Sequence, residues 1–233
     1  MKAITNKRLA VGIPLDASQS YTAFWESFLL LQKPPDFLFI RERGGHASLD
    51  RMRNNIVYRA MRDGATHLLM MDADQIYPVN TITRLCSHNL DVVSAMVFRR
   101  YPPFDPLMFR GRINTHRYIP VDEWKEGDLV EVNATGTGCI LYNMKVFHAI
   151  KPPWFEFRKN PRKEFRDKDE KEIGEDFSFC SRLKRAGFKI YVDTGLQVDH
   201  LALIQINMKA HLLWRRLKDN QKECEKQEVF GSN

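Results

Sequence analysis

The amino-acid sequence predicts an α/β domain in which a mixed β-sheet is flanked by helices. Over the first hundred residues, short apolar runs alternate with amphipathic stretches in a βαβαβ order. With 233 residues, 43% of them hydrophobic and 28% charged, the chain can form one well-buried domain but not two full ones. We therefore predict a domain over residues 1–202, followed by a C-terminal helix and tail over 203–233.

The elements follow from hydrophobic periodicity. Apolar runs predict strands at residues 8–14, 37–40, 66–71 and 91–99. Apolar residues at helical spacing predict helices at residues 18–32, 49–62 and 80–85. Prolines at 102, 103 and 106 then break the alternation, and we predict short strands over 107–119.

Two carboxylates, Asp72 and Asp74, follow the strand at 66–71 and precede Pro78. An apolar strand that ends in Asp-x-Asp can present both acids at the C-terminal edge of a sheet, where open α/β folds bind ligands. Hard oxygen ligands suit Mg²⁺ or Mn²⁺, which usually keep coordination positions free for phosphate oxygens. The motif therefore indicates a metal and phosphate site; the alternative is a solvated acidic turn after a buried strand.

The sequence Gly136-Thr137-Gly138 lies between two apolar strands. Glycines there allow the backbone to approach a ligand closely, or they mark a tightly packed bulge. From the residues alone we favour the bulge.

Glu175 and Asp176 begin an amphipathic stretch that ends at Gly187. Acids in the first turn complement the helix dipole, which is a sufficient structural explanation. The same position should keep an acid ionised and facing hydroxyl ligands, as a general base requires. His200 ends a strand-like segment at 196–200; it is either structural or the residue that completes a metal site with Asp74.

The order of these motifs resembles the GT-A glycosyltransferases, most closely those similar to family 2. The resemblance covers about residues 8–200. It implies a metal-dependent glycosyltransferase, with Mn²⁺ or Mg²⁺, that moves a sugar from a UDP- or GDP-sugar donor to a hydroxyl acceptor.

The resemblance also implies roles for individual residues. The donor nucleotide would contact six positions: Pro14, Glu42, Arg53, Asp72, Asp74 and Gly138. The metal would be held by Asp74, with support from Asp72 and His200. Asp176 would be the catalytic base of an inverting reaction and Glu175 would orient the acceptor; if the two acids only bind acceptor hydroxyls, a retaining outcome is possible.

Two departures from the family pattern concern the donor site. Met52 replaces the alanine that usually precedes the arginine of the Gly-rich stretch, here Gly44-Gly45 through Arg53. Arg41 and Arg43 flank Glu42 in place of the usual Asp-Gly-Ser turn. The second departure affects the expected contacts to base and ribose.

Two further segments are open to interpretation. Residues 154–172 carry many charges of both signs, which is typical of an exposed loop, but their position before Glu175 favours a lid in which Trp154, Phe155 and Phe157 cover the site. The segment from 203 to 217 is an amphipathic basic helix that docks on its own domain, on a second subunit in a homo-oligomer, or on an acidic membrane surface.

Composition narrows the classes of function. We find no apolar stretch long enough for a membrane span and no paired cysteine spacing, so we predict a cytoplasmic protein. A nucleotidyltransferase acting on sugar phosphates is an alternative, although the Gly-rich loop expected after the first strand is missing. The net charge of +7 leaves open a polyanionic acceptor such as modified DNA, but acids at the site argue against a simple nucleic-acid binder.

Overall fold

The computed structural model divides the chain into two compact units, Met1–Leu201 and Ala202–Asn233. It describes residues 8–15, 21–43, 47–112, 117–159, 172–203, 207–209 and 211–216. The Gly44-Gly45 pair and most of the predicted lid lie outside these residues. Within the described ranges, no helix is both long enough and apolar enough to cross a membrane.

The first unit is built on strands that occur throughout its length. In chain order they are β1 (Leu9–Leu15), β2 (Leu38–Arg43), β3 (His67–Met71), β4 (Gln75–Ile76), β5 (Val92–Val97), β6 (Met108–Arg112), β7 (Arg117–Pro120), β8 (Leu129–Val132), β9 (Ala134–Thr135), β10 (Cys139–Asn143), β11 (Arg158–Lys159), β12 (Glu172–Ile173) and β13 (Ile190–His200).

Helices connect these strands. They are α1 (Thr22–Leu30), α2 (Leu49–Arg62), α3 (Thr81–Ser87), α4 (Lys145–Ala149) and α5 (Glu175–Arg185). The bounds of α2 match the prediction, whereas the described part of α1 is shorter than predicted at both ends.

The main sheet is mixed, as predicted. Its strand order is β2-β1-β3-β10-β5-β13-β4, with β8 paired to β13. Strands β2, β1 and β3 are parallel, β10 runs antiparallel between β3 and β5, and β13 is parallel to β5. The carboxyl ends of β1, β2 and β3 therefore meet at one edge, and β13 brings its own carboxyl end to β4, which directly follows Asp72 and Asp74.

The core lies on both faces of this sheet, because alternate residues of a strand point to opposite faces. In β3, Leu68 and Met70 pack on the face covered by α2 and α5, whereas Leu69 and Met71 pack on the face covered by α1 and α3. All four side chains are at most 1% exposed. A strand buried on both faces is apolar throughout, which is why β3 has no polar residue between His67 and Asp72.

The aromatic residues proposed for the lid belong to the core instead. Trp154 is 2% exposed and Phe155 is 0% exposed. The Asn54 side chain of α2 accepts a hydrogen bond from the Trp154 amide at 2.8 Å, and the Trp154 indole N–H lies within hydrogen-bonding distance of two carbonyl oxygens of the 147–150 segment. The lid prediction is therefore wrong for these two residues; Phe157 is exposed, and residues 160–171 lie outside the described structure.

The second unit contains helical residues at 208–209 and 211–216. The His211 amide donates to the Asn207 carbonyl at 3.0 Å, as in a regular helix. The amphipathic helix predicted over 203–217 has Leu203, Ile206, Ala210, Leu213 and Leu217 on its apolar side, and Ile206, Ala210 and Leu217 lie outside the described residues.

Candidate functional site

The sheet edge brings Pro14 and Glu42 next to each other, one residue from each of two parallel strands. Pro14 of β1 is paired in register with Glu42 of β2. The Glu42 carboxylate accepts hydrogen bonds from Asn55 at 2.9 Å and from Arg59 at 3.2 Å, both on α2. Helix α2 therefore fixes the Glu42 side chain, in a region where Asp-Gly-Ser is usual in the family that the sequence resembles.

A buried arginine joins the two acidic motifs. Arg53 of α2 is 3% exposed, and its guanidinium donates to both Asp72 oxygens, at 3.1 and 3.3 Å. The same guanidinium forms an ion pair with Glu175, which is 5% exposed. Burial by itself would lower the pKa of Arg53, but the negative charges of Asp72, Glu175 and Asp176 raise it, so this side chain is permanently cationic. We call Arg53, Asp72, Glu175 and Asp176 the inner cluster.

Asp176 differs from Glu175 although the two are neighbours at the start of α5. Its side chain is half-buried, and its Oδ1 accepts a hydrogen bond from the Phe177 amide at 2.7 Å. Burial and the charge of Glu175 raise the pKa of Asp176 to about 7, although Arg53 opposes that shift. The helix N-terminus favours the ionised form of this acid, whereas burial and the charge of Glu175 favour its neutral form.

Asp74 lies in different surroundings. Its Oδ2 is 2.9 Å from Nη1 of Arg100 and 3.4 Å from Nε2 of His200. Its Oδ1 is buried and makes no hydrogen bond. Burial would raise the pKa of Asp74, but the hydrogen bond and charge of His200 and the charge of Arg100 hold it below its ordinary value. We call Asp74, Arg100 and His200 the outer cluster.

His200 is oriented by the strand next to its own. Its Nδ1 lies 2.7 Å from the Phe98 carbonyl oxygen, to which it donates. Burial would lower the pKa of His200, but the contacts with Asp74 and Phe98 raise it. An imidazole that donates from Nδ1 to a carbonyl keeps Nε2 for a second partner, which is the usual arrangement of a metal-binding histidine.

A short polar network separates the two clusters. The Tyr77 hydroxyl is 2.7 Å from the Asp72 carbonyl oxygen and 2.9 Å from the Gly138 carbonyl oxygen. The Asp72 amide in turn donates to the Gly138 carbonyl at 2.9 Å. A Cβ at Gly138 would lie 2.1 Å from the Gln75 side chain, which is 1% exposed, so glycine is needed here for close packing.

The predicted metal ligands do not converge as one set of three. Asp74 and His200 lie together, whereas the Asp72 side chain contacts Arg53. In the part of the chain that the structure describes, no group of three or more His, Cys, Asp or Glu side chains is arranged to hold a metal ion. A divalent cation still fits the outer cluster, because Asp74 Oδ1, which makes no hydrogen bond, and His200 Nε2, which faces the same carboxylate, are suitable ligands. Such a cation takes its remaining ligands from phosphate or water.

Sequence reasoning missed Arg100, which contacts Asp74 directly. The Arg99-Arg100 pair at the end of a predicted strand was a signal, because that strand ends at the same edge of the sheet as the acids. The sequence also predicts a donor contact for Arg53; in the structure its guanidinium contacts Asp72 and Glu175, and the donor contact stays a prediction.

No protein-family model matches the sequence, and no curated protein sequence matches it. Solved structures do match its fold. A197 from STIV has a TM-score of 0.51 at 18% identity, over 86% of this chain and 99% of that one. GalNAc-T7, solved with UDP, GalNAc and Mn²⁺, has a TM-score of 0.60 at 12% identity, over 86% of this chain and 45% of that one.

A fragment of S. aureus TarS, residues 1–349, has a TM-score of 0.52 at 13% identity, over 83% of this chain and 60% of that one. The same fragment has also been solved in complex with UDP-GlcNAc. The chain therefore spans less than two thirds of GalNAc-T7 and of the TarS fragment. Both are GT-A fold glycosyltransferases, so the GT-A-like fold predicted from the sequence is confirmed.

Proposed function

We propose that this protein is a metal-dependent glycosyltransferase that moves a sugar from a nucleotide-diphosphate donor to a hydroxyl acceptor with inversion at the anomeric carbon. The observation that carries the proposal is the outer cluster at the edge of a GT-A-like sheet. There a buried carboxylate oxygen of Asp74 lacks a partner, next to a histidine whose Nδ1 is held by a carbonyl. The ligands of two of the similar structures, UDP with GalNAc and Mn²⁺ in GalNAc-T7 and UDP-GlcNAc in the TarS fragment, support a nucleotide-sugar substrate.

In this proposal Asp74 and His200 hold Mn²⁺ or Mg²⁺, and Asp72 supports the site from its ion pair with Arg53. When bound, the cation would offset the charge of the leaving diphosphate. We assign Pro14 and Glu42 to the nucleotide base and ribose, and Gly138 supports Asp72 by accepting a hydrogen bond from its amide. Arg53 is assigned an indirect role through Asp72 and Glu175, which its guanidinium contacts.

Asp176 is the proposed general base. A base works best when its pKa lies near the operating pH, and the pKa of Asp176 is raised to about 7. The carboxylate would accept the proton of the acceptor hydroxyl as that oxygen attacks the anomeric carbon. Glu175 is held by Arg53 and positions the start of α5, so we assign it an orienting role. A polyanionic acceptor, a cytoplasmic location and a homo-oligomer through the C-terminal helix stay predictions.

The proposal is tested by a screen of UDP- and GDP-sugars for release of the nucleoside diphosphate, with and without Mn²⁺. We expect at least one donor to release its nucleoside diphosphate slowly by hydrolysis in the presence of Mn²⁺, and to release it faster, by transfer of the sugar, when a hydroxyl acceptor is added. A protein that releases no nucleoside diphosphate from any of these donors with any acceptor tried would contradict the proposal.

The role of Asp176 is tested with matched amide variants once a donor and acceptor are known. Asp176→Asn should lower kcat by about 10²- to 10⁴-fold and leave donor affinity unchanged, because a base acts only in the transition state. Glu175→Gln should affect kcat less. Near-normal turnover in Asp176→Asn, or a product that keeps the donor's anomeric configuration, would refute the inverting mechanism.

A further inference from the structure

We propose that Arg100 is an exchangeable cation, which neutralises Asp74 in the metal-free protein and moves to the donor diphosphate when a divalent cation binds Asp74. The inference rests on the proposed function, because both the cation and the diphosphate belong to it. It assigns a diphosphate-binding role to a residue that the sequence motifs do not include.

Arg100 already contacts the Asp74 carboxylate to which a divalent cation would bind. Arg100 and His200 both contact Oδ2, at 2.9 and 3.4 Å, while Oδ1 is buried without a hydrogen bond. A divalent cation bound to this carboxylate would stand within a few ångströms of the guanidinium group. Because like charges at that distance repel, the cation and Arg100 compete for Asp74.

The Arg100 side chain can move away from Asp74 while its backbone stays in place. The side chain is 44% exposed, compared with 4% for Arg53 in the inner cluster. The backbone beside it is anchored, since the Arg99 amide donates to the Asp105 carbonyl at 3.0 Å and the Phe98 carbonyl accepts from His200. The guanidinium can therefore change position by side-chain rotation, because the backbone at residues 98 and 99 is held next to the site.

The donor diphosphate matches the Arg100 guanidinium in charge and geometry. A cation held by Asp74 and His200 fills its other positions with diphosphate oxygens, which then lie within one side-chain length of Arg100. The planar guanidinium presents paired N–H donors that match phosphate oxygens in geometry and charge. Exchange from Asp74 to the diphosphate keeps Arg100 paired in both states.

The inference predicts effects of opposite sign in two titrations that need no turnover. One titrates Mn²⁺ alone, and the other titrates UDP or GDP at saturating Mn²⁺. The proteins are the wild type, Arg100→Gln and the matched control Arg99→Gln, which removes the same charge one residue away from an exposed arginine that lies over the Phe109 ring at 5.4 Å.

Arg100→Gln should bind Mn²⁺ about two- to fivefold more tightly, because it loses a partly exposed competing ion pair. It should bind the nucleoside diphosphate about tenfold to a hundredfold more weakly, because it loses a charge-assisted contact to phosphate. Arg100→Lys keeps the charge and should lose only part of the diphosphate affinity. Arg99→Gln should match the wild type in both titrations.

Three results would overturn the inference. If Arg100→Gln binds Mn²⁺ no more tightly than the wild type, Arg100 does not compete with the metal. If Arg100→Gln and Arg99→Gln bind the diphosphate equally well, Arg100 does not contact it. A wild-type protein that binds neither Mn²⁺ nor any nucleoside diphosphate would remove the proposed donor site together with this inference, and the wild-type titration distinguishes that case from the first two.

Discussion

Asp72 and Asp74 are two residues apart, yet the inner and outer clusters that they belong to differ in almost every physical respect. Asp72 pairs with Arg53, whose side chain is 4% exposed, whereas Asp74 pairs with Arg100, whose side chain is 44% exposed. The inner cluster links helices α2 and α5 across the protein interior. The outer cluster joins the ends of β5 and β13 at the surface.

The two acids of the Asp-x-Asp motif therefore serve different purposes. A buried ion pair is costly to break, because removing one partner leaves a charge without compensation in the interior. A pair at the surface is worth little and exchanges readily. The inner cluster is thus suited to fix the position of Asp176, and the outer cluster is suited to exchange protein partners for ligands.

The largest effect that follows from this comparison concerns Arg53. Arg53→Met should destabilise the protein by about 3–5 kcal/mol, because it leaves Glu175 and Asp72 without their buried cation. The matched control is Arg59→Met, on the same helix, which breaks a 3.2 Å pair with Glu42 at a side chain that is 40% exposed. The control should cost less than about 1 kcal/mol. Urea denaturation of both variants measures the two free energies of unfolding.

Glu175→Gln combined with Arg53→Met should restore part of the stability, since the double variant no longer buries the Glu175 charge. If Arg53→Met and Arg59→Met lose equal stability, the contrast between the inner cluster and the surface is wrong.

A smaller effect concerns Asp176 and pH. The pKa of this group is raised to about 7 in the folded protein from its ordinary value of 3.8, so the folded state binds more protons than the unfolded state between these values. The stability of the wild type should therefore fall as the pH rises from about 4 to 7, through this group. Asp176→Asn cannot titrate, so its stability relative to the wild type should increase over the same range. We expect about 1–2 kcal/mol rather than the about 4 kcal/mol that a fully desolvated group would give, because solvent screens the half-buried side chain.

Denaturation of the wild type and Asp176→Asn at pH 5, 6, 7 and 8 measures this difference. A difference in stability that is constant with pH would mean that the environment of Asp176 does not raise its pKa, and the argument for this residue as the base would lose its electrostatic support.

Much of the fold was predictable from the sequence because β1 and β3 are continuous apolar runs and α2 carries apolar residues at helical spacing. An all-apolar run such as Leu68–Met71 fits a strand buried on both faces, and the Asp that follows it marks the edge of the sheet. The burial of Trp154 and Phe155 was not predictable in the same way. These residues adjoin a highly charged segment, and contacts distant in sequence, such as that of the Trp154 amide with Asn54 a hundred residues earlier, hold them in the core.

The sequence identifies candidate residues for the site but not their arrangement. The motifs identify Asp72, Asp74, Glu175, Asp176 and His200; the structure joins Asp72 to Glu175 through Arg53 and joins Asp74 to His200, and the roles of these residues stay predictions. Which acid pairs with which cation depends on contacts across long sequence separations. Arg53 reaches Glu175 over 122 residues, and no local pattern encodes such a pairing.

We propose that Asp74 binds the metal and donor while contributing little to the stability of the fold. The melting temperatures of the wild type, Asp74→Asn and Asp199→Asn test this role; Asp199 is the control because it is an exposed acid next to His200. Each protein is heated alone and with Mn²⁺ plus UDP- or GDP-sugar. Without ligands the three proteins should melt at similar temperatures, because each substitution should change the free energy of unfolding by less than about 1 kcal/mol. With ligands the wild type and Asp199→Asn should be stabilised and Asp74→Asn should not; equal stabilisation of Asp74→Asn, or none in the wild type with any of these donors, would contradict the account.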